Sequence, residues 1–267
     1  MLDKSQLLRK ITSDEEEKLT LARLLDQLER SRSRNIPTAT NFLTPQEQSL
    51  AQTLLQQVGG ASCAVLSGGY DEAERKIMLF LPEYLAMEYY QEDEEYPLCA
   101  VRCAYRQEDK PTHRDFLGSL MGLGIRREMV GDILVTSGNC DILLRREILP
   151  FVLQNYISAG RTHLKVEQVA LAHLHLPEKR RQEIRDTVAA LRLDSIVSSA
   201  FRISRSKAAD LIRAGKVEVN WRLCDKADHV CSEGDTFTAR GFGKCTLAEV
   251  GGLSKKGRIT IRLERYQ

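Results

Sequence analysis

The sequence lacks any long apolar segment. None of its windows approaches the about 18 consecutive apolar residues that a membrane-spanning helix needs. The residues after Met1 also lack the basic-then-apolar order of a secretory signal. These absences predict a cytoplasmic protein with no membrane partner. The hydrophobic content of 42% over 267 residues is enough for two or three modest cores, so disorder throughout the chain is excluded.

The cysteines form neither a disulfide framework nor a metal motif. Their number, seven, is odd, and no two of them make a Cys-x-x-Cys pair. Most are therefore predicted to be small buried side chains. His173 and His175 have the spacing of one strand face, but no third ligand can be placed, so no metal is predicted. No complete glycine-rich dinucleotide motif is present, and no cofactor is expected.

The chain as a whole carries little net charge, but its last quarter has an excess of positive charge. The formal net charge is +2. Residues 192–267 carry 15 lysines and arginines against 9 acidic residues, a net +6, whereas residues 1–191 carry 24 against 28. A basic module of this kind is typical of a protein that binds a polyanion, with a plain solvated basic face as the alternative.

The first part of the chain is predicted to be mostly helical. Residues 15–34 carry Leu19, Ala22, Leu25 and Leu28 at helical spacing, with acidic residues at the start and arginines at the end. Thr44-Pro45-Gln46-Glu47 is a capping-box pattern that predicts a second helix running to Gly59. Two short apolar strands are predicted at residues 63–66 and 77–81.

The middle of the chain predicts a βαββαβ plait of the ferredoxin-like or RRM-like type. Strands are expected at residues 98–105, 132–136, 140–145 and 163–169, and helices at 113–123 and 147–158. Ile142, Leu143 and Leu144 stand where an RRM would carry stacking aromatics, so this sheet is expected to pack against helices or a partner. Arg126 and Arg127 follow the first helix and are candidates for a second phosphate site.

The overall prediction is an α+β protein with four segments. Residues 1–75 form a mostly helical N-terminal domain, 76–176 the plait, 177–191 a charged helical connector, and 192–267 a compact module of two short helices followed by short strands. A monomer is the default expectation.

The last module contains a candidate anion site. Ser204 is predicted to cap its second helix, with Ala208, Leu211 and Ile212 facing inward. Arg205 and Lys207 then lie in the first turn, where a cation opposes the helix dipole by about 0.3 to 1 kcal/mol. A bound phosphate would remove that disadvantage. Further basic residues widen the patch: Arg202, Arg213, Lys216 and Arg222.

This module resembles the S4 RNA-binding domain, the αL-like fold. The resemblance is carried by residues 192–194 (RLD), 204–212 (SRSKAADLI) and 215–220 (GKVEVN). It implies that Arg192, Arg205 and Lys207 contact RNA. Trp221, the chain's only tryptophan, replaces the glycine usual in S4 domains; it is predicted to pack inward, with base stacking as the alternative.

Other strings make the whole chain similar to the YlmH family. They are residues 42–45 (FLTP), 68–75 (GGYDEAER), 113–133 (HRDFLGSLMGLGIRREMVGDI), 220–222 (NWR) and 240–244 (RGFGK). That resemblance implies an N-terminal helical part, an RRM-like plait and a C-terminal S4 domain.

The resemblance also implies a function. It indicates a non-enzymatic bacterial protein that binds rRNA of the large ribosomal subunit, and peptidyl-tRNA, in ribosome-associated quality control alongside other quality-control factors. Two alternatives differ in class: an RNA-modifying enzyme of the pseudouridine-synthase type, and a division-related scaffold. The enzyme would need a large catalytic domain, and too few residues follow the S4-like strands to supply one.

Overall fold

The computed structural model describes residues 4–177, 181–254 and 256–266. The chain divides into two compact units, Met1–Pro177 and Glu178–Gln267. The fold is α+β, and the prediction of that class is confirmed.

The first unit begins with helices packed on a small sheet. Its elements are α1 (Lys4–Ile11), α2 (Glu15–Arg34), β1 (Thr38–Ala39), α3 (Pro45–Gln57), β2 (Ala64–Ser67), β3 (Ile77–Phe80) and α4 (Met87–Tyr90). The three strands form one antiparallel sheet in the order β1-β3-β2. Strand β3 lies beyond the predicted domain boundary at residue 75, yet it pairs with β2 before it, so the small sheet spans that position.

Local signals define the two long helices. Asp14 caps α2 by accepting hydrogen bonds from the backbone N–H groups of Glu16 and Glu17. The capping box predicted at the start of α3 is confirmed, since Thr44 and Glu47 each bond the other's backbone N–H. The buried face of α2 differs from expectation in one respect: Leu19 is 52% exposed.

The plait follows as β4 (Leu98–Ala104), α5 (His113–Gly122), β5 (Val130–Thr136), β6 (Asn139–Arg145), α6 (Leu149–Asn155) and β9 (Lys165–Val169), with a small hairpin of β7 (Ser158–Ala159) and β8 (Thr162–His163) before the last strand. The sheet order is β5-β6-β4-β9, with every neighbouring pair antiparallel. This is the predicted ferredoxin-like connectivity. The first and third strands of the plait, β4 and β6, lie at the centre of the sheet, and the second and fourth, β5 and β9, lie at its edges.

Both faces of the plait sheet are covered. Val101, Ile142 and Leu144 pack toward α5 and α6, whereas Leu143 on the opposite face joins a buried cluster with Phe42 and other residues of the N-terminal part. Gly131 allows this approach, because a Cβ there would lie 2.6 Å from the Phe42 ring. The expectation that this sheet packs against other parts of the chain is therefore confirmed.

A buried ion pair secures the end of the plait. The Asp141 carboxylate, 0% exposed, accepts two hydrogen bonds from the Arg102 guanidinium at 2.7 and 2.8 Å. It also accepts one from the backbone N–H of His175 at 2.7 Å. These contacts attach the segment after β9 to the central strands and raise the pKa of Arg102 through its bond to Asp141.

The second unit contains β10 (Arg181–Val188), α7 (Leu193–Phe201), α8 (Arg205–Arg213), β11 (Val217–Val219), β12 (Arg222–Leu223), β13 (Thr236–Ala239), β14 (Gly243–Leu253) and β15 (Ile259–Tyr266). The strands form one sheet in the order β10-β15-β14-β13-β11-β12. Its core lies between the sheet and the two helices, with Ile196, Ile212 and Phe237 each 0% exposed.

The prediction of a helix over residues 178–191 is wrong for residues 181–188. They form β10, which pairs with β15 along its whole length, from Arg181 opposite Tyr266 to Val188 opposite Ile259. Ile184 and Val188 are buried. Their spacing of four fits one face of a helix and one face of a strand equally well, and the distant partner strand decides between them. Residues 178–180 lie outside the described part of the chain.

The cysteine prediction is confirmed for most of the seven. Cys99, Cys103, Cys140, Cys231 and Cys245 are buried, and all seven thiols are free. Burial raises the pKa of Cys99 to about 11 and that of Cys103 to about 12. Thiols held in the neutral form in this way are poor nucleophiles and metal ligands.

Candidate RNA-binding surface

The turn between α7 and α8 presents the predicted basic residues. Helix α7 ends at Phe201 and is capped by Arg202, whose left-handed backbone (φ 52°) redirects the chain. Ser204 then caps α8 by accepting a hydrogen bond from the backbone N–H of Lys207 at 3.2 Å. Ala208 and Ile212 are buried, as expected. The inward face of α8 therefore leaves Arg205 and Lys207 exposed in its first turn.

A buried carboxylate organises two of the arginines. Asp194, 5% exposed, accepts hydrogen bonds from Arg192 at 3.2 and 3.3 Å and from Arg205 at 3.1 and 3.2 Å. Burial alone would raise the pKa of Asp194, but the bonds from both guanidinium groups outweigh it and hold the pKa below its ordinary value. This role of Asp194 was not predicted, although its place two residues after Arg192 was a usable signal.

The arrangement leaves donors available to an anion. The side chains of Arg192 and Arg205 are 40% and 56% exposed, so each guanidinium turns one part toward Asp194 and another toward solvent. A guanidinium carries five N–H donors in a fixed fork. One carboxylate thus holds two arginines beside the N-terminal turn of α8, where the helix dipole also favours negative charge.

We expect the stability of the second unit to depend on Asp194 and on pH. Because its folded pKa is lowered, Asp194 stabilises the fold above its ordinary pKa of 3.8, and this contribution is lost as the pH falls through the folded value. Asp194→Asn should lower the free energy of unfolding by about 1.5 kcal/mol at pH 6. The difference from wild type should shrink below pH 4, in urea unfolding followed by Trp221 fluorescence.

Asp210→Asn is the matched control for that measurement. Asp210 is 73% exposed and forms a surface ion pair with Arg213 at 3.3 Å, so its loss should change stability by less than about 0.5 kcal/mol. A difference between wild type and Asp194→Asn that stays constant from pH 6 to pH 3 would contradict the assignment.

The turn between β13 and β14 lies beside the start of α8. The Lys207 ammonium is 5.4 Å from the centre of the Phe242 ring, and that ring lies 6.0 Å from Phe201. Arg265 donates a hydrogen bond to the Phe242 carbonyl at 3.0 Å and stacks over Phe201. In the sequence, residues 240–244 contributed only to the family resemblance. The contact with Lys207 was not predicted, because it joins chain segments 35 residues apart.

The remaining basic residues predicted for this surface are exposed on α8, after it and on β12. Arg213 is exposed in the last turn of α8 and pairs with Asp210. Lys216 is exposed, and its carbonyl accepts a hydrogen bond from the Arg240 backbone N–H at 2.9 Å, which brings another basic residue alongside. Arg222 is exposed on β12.

The prediction that Trp221 packs inward is not supported. Trp221 is half-buried and does not belong to the hydrophobic core of the described part of the second unit. It lies in the two-residue turn between β11 and β12, with φ 61°. The Lys244 ammonium lies 5.3 Å from the centre of its ring.

Arg126 and Arg127, in the first unit, have different surroundings. Arg126 is exposed and pairs with Glu128 at 2.9 Å. Arg127 is partly buried and donates hydrogen bonds to the carbonyls of Val130 and Gly131. Burial and the neighbouring Arg75 lower the pKa of Arg127 to about 10. Arg126 is therefore the more accessible of the pair.

The described residues contain neither a metal-binding cluster nor a membrane-spanning helix. No group of three or more histidine, cysteine, aspartate or glutamate side chains is placed to hold a metal ion. Across the same ranges, no helix has the length and apolar character needed to span a membrane.

Comparisons with known proteins agree with this architecture. The family described as "YlmH, N-terminal" matches residues 16–85, "Putative RNA-binding domain in YlmH" matches 91–173, and "S4 domain" matches 191–237. The chain is 34% identical over 231 residues to "Ribosome-associated protein quality control protein P2" of Bacillus subtilis (strain 168), covering 85% of this chain and 87% of that protein. The chain belongs to the YlmH family. The predicted family is thus confirmed, and the surface around α7 and α8 is that of an S4 RNA-binding domain within a YlmH-family protein.

A solved structure shows a weaker likeness. "Cell division protein ylmH from Streptococcus pneumoniae" has 21% sequence identity and a TM-score of 0.48, with 60% of this chain and 95% of that chain covered. This degree of similarity informs neither the fold nor the function of the YlmH-family protein described here.

Proposed function

We propose that this YlmH-family protein is a non-catalytic factor that binds rRNA of the large ribosomal subunit through its S4 unit. The observation that carries the proposal is the set of Arg192 and Arg205 oriented by buried Asp194 beside Lys207 at the start of α8. Such a set fits phosphate oxygens, which dominate protein contacts to folded RNA.

The setting of this binding is ribosome-associated quality control. The similarity to the Bacillus subtilis protein of that name supports this part of the proposal. In such a role the protein would act in the cytoplasm as a monomer, contacting rRNA and peptidyl-tRNA while other quality-control factors act on the stalled chain. None of the matching families carries an enzymatic description, which supports a binding role.

The first unit has a supporting role in this proposal. The face of the plait sheet that RRM proteins use for bases is covered by N-terminal residues, so any RNA contact there would come from the sheet's surroundings. Arg126, exposed after α5, is the residue proposed for such a phosphate contact.

Sedimentation of the full-length protein through a sucrose gradient tests the proposal. At low salt the wild type should migrate with large subunits, and moderate salt should release it, because phosphate contacts displace counterions. The Arg205→Ala/Lys207→Ala variant should be released at lower salt than the wild type. Protein that stays at the top of the gradient at low salt, with large subunits present, would contradict the proposal.

A parallel titration separates the proposed role from that of a DNA-associated scaffold. Structured rRNA fragments, tRNA and duplex DNA of equal length are compared at the same salt concentration. Preference for rRNA supports the ribosomal role, whereas equal binding to duplex DNA would favour a DNA-associated scaffold.

A further inference from the structure

The sheet of the second unit has a face that α7 and α8 do not cover. Side chains alternate along each strand, so those next to the buried residues point to the opposite face. On β14, Cys245 and Leu247 are buried in the core, and Lys244 and Thr246 project from the other side. On β15, Leu263 faces the core and Tyr266 lies on the opposite face. We call this side of the sheet the open face.

Aromatic rings and cations alternate along one end of the open face. The Arg181 guanidinium is 5.3 Å from the centre of the Tyr266 ring. The Lys244 ammonium lies 5.1 Å from the centre of that ring and 5.3 Å from that of Trp221. One ammonium is therefore shared by two rings, and the four side chains form a continuous row across the sheet.

The backbone of Trp221 is strained in a way that packing does not explain. Asn220 and Trp221 form a two-residue hairpin turn with φ of 49° and 61°. Turns of this kind favour Asn-Gly, because a side chain at positive φ is unfavourable for all but a few residue types. A large residue at such a position, outside the core, is the type of local strain that clusters at functional sites.

We propose that the open face is a second RNA-binding surface, which takes unpaired nucleotides by stacking bases on Trp221 and Tyr266. Lys244 lies between the two rings and is placed to bind the phosphate that links the two stacked nucleotides. Rings interleaved with cations are the usual means of binding single strands without sequence preference. The inference builds on the proposed function, since it assumes that the protein meets RNA.

The charges of the open face favour a single strand over a duplex. Glu264 forms ion pairs with Arg181 at 3.1 Å and with Arg262 at 2.7 Å, so it offsets positive charge in the middle of the face. Binding there would rely on stacking more than on phosphate charge. A duplex exposes its phosphates but keeps its bases stacked on each other, and so gains little from the two rings.

Trp221 fluorescence provides a direct test, because it is the only tryptophan of the chain. The full-length protein is titrated with a 12-nucleotide oligouridine and, separately, with a blunt RNA duplex of the same length. The single strand should quench Trp221 emission and bind at least tenfold more tightly to this face than the duplex. Unchanged emission at saturating single strand would overturn the proposal.

Trp221→Gly is the decisive variant. It removes the ring but inserts the residue the turn prefers, so the fold should be retained or slightly stabilised. Measured by fluorescence anisotropy of labelled oligouridine, its affinity should fall about tenfold. Trp221→Phe, which keeps a ring, should bind within about threefold of the wild type. Wild-type affinity in Trp221→Gly would rule the stacking surface out.

Two further variants separate this inference from the proposed function. In the anisotropy assay, Arg205→Ala/Lys207→Ala should keep binding labelled oligouridine while losing structured rRNA. Trp221→Gly should lose oligouridine binding while keeping structured rRNA. Lys10→Ala, on the exposed side of α1 in the first unit, is the control for the loss of a positive charge elsewhere and should leave oligouridine binding unchanged. Loss of single-strand binding in the α8 variant alone would assign that binding to the helical surface and refute the open-face site.

Discussion

Replacing Arg205 and Lys207 with alanine should weaken binding of a structured rRNA fragment about 10- to 100-fold at 0.1 M salt. Two phosphate contacts would be lost, and each contact contributes about 0.7 to 0.9 to the slope of log affinity against log salt. The slope should therefore decrease in magnitude by about 1 to 2. Filter binding or fluorescence anisotropy at four salt concentrations measures both quantities.

The fold should survive this double substitution. Both side chains are exposed, and removing cations from the first turn of α8 relieves an unfavourable interaction with the helix dipole. The loss of the Arg205 bonds to Asp194 offsets part of this gain, but Arg192 still pairs with that carboxylate. A variant with Lys10→Ala, in α1 of the first unit, and Lys256→Ala has the same change in charge. Lys256 is exposed between β14 and β15, at the end of β14 away from Phe242, and this control should retain most of the affinity. If the two double variants bind RNA equally, the surface at α8 is not the RNA contact.

Asp141→Ala should destabilise the first unit by about 3 to 5 kcal/mol. The substitution leaves the Arg102 guanidinium, 17% exposed, without its carboxylate, and the backbone N–H of His175 without its acceptor. The cost is a large share of the stability of an ordinary domain, about 5 to 15 kcal/mol. Guanidinium chloride unfolding followed by circular dichroism measures the loss, and amide exchange in β4 and β9 locates it.

A double substitution distinguishes an unpaired charge from a packing defect. Replacing the pair together, as Arg102→Met with Asp141→Leu, should recover more than half of the loss, because no buried charge then lacks a partner. Asp109→Ala, at an exposed position between β4 and α5, should change stability by less than about 0.5 kcal/mol. Asp141→Ala within 1 kcal/mol of the wild type would show that the ion pair contributes little to the fold.

The two units differ in how their surfaces are used. The plait buries both faces of its sheet, one against α5 and α6 and the other against the N-terminal part, and so acts as a scaffold. The second unit keeps its cations exposed and organised by buried Asp194. A surface held in place before RNA arrives loses less conformational entropy on binding.

Local signals in the sequence were sufficient for the elements whose causes are local. The capping residues Thr44 and Ser204 act within three residues, and both caps are present as predicted. The alternation and turn residues of the plait likewise define its strands in order, and the connectivity rules then leave few sheet arrangements. The resemblance of residues 192–220 to the S4 domain placed Arg192, Arg205 and Lys207 on one module, because the motif itself spans that module.

Only the tertiary structure decided the features that join distant parts of the chain. Residues 181–188 are a strand because β15, more than 70 residues later, supplies their hydrogen-bond partners. Asp194 gains its role from Arg205 across the turn between two helices, and Trp221 gains its neighbour Lys244 from another hairpin. The sequence by itself determined the family, the order of the plait elements and the basic module. Which charges are paired, and which rings meet cations, depends on contacts that form only when the sheet is assembled, since residue spacing does not encode them.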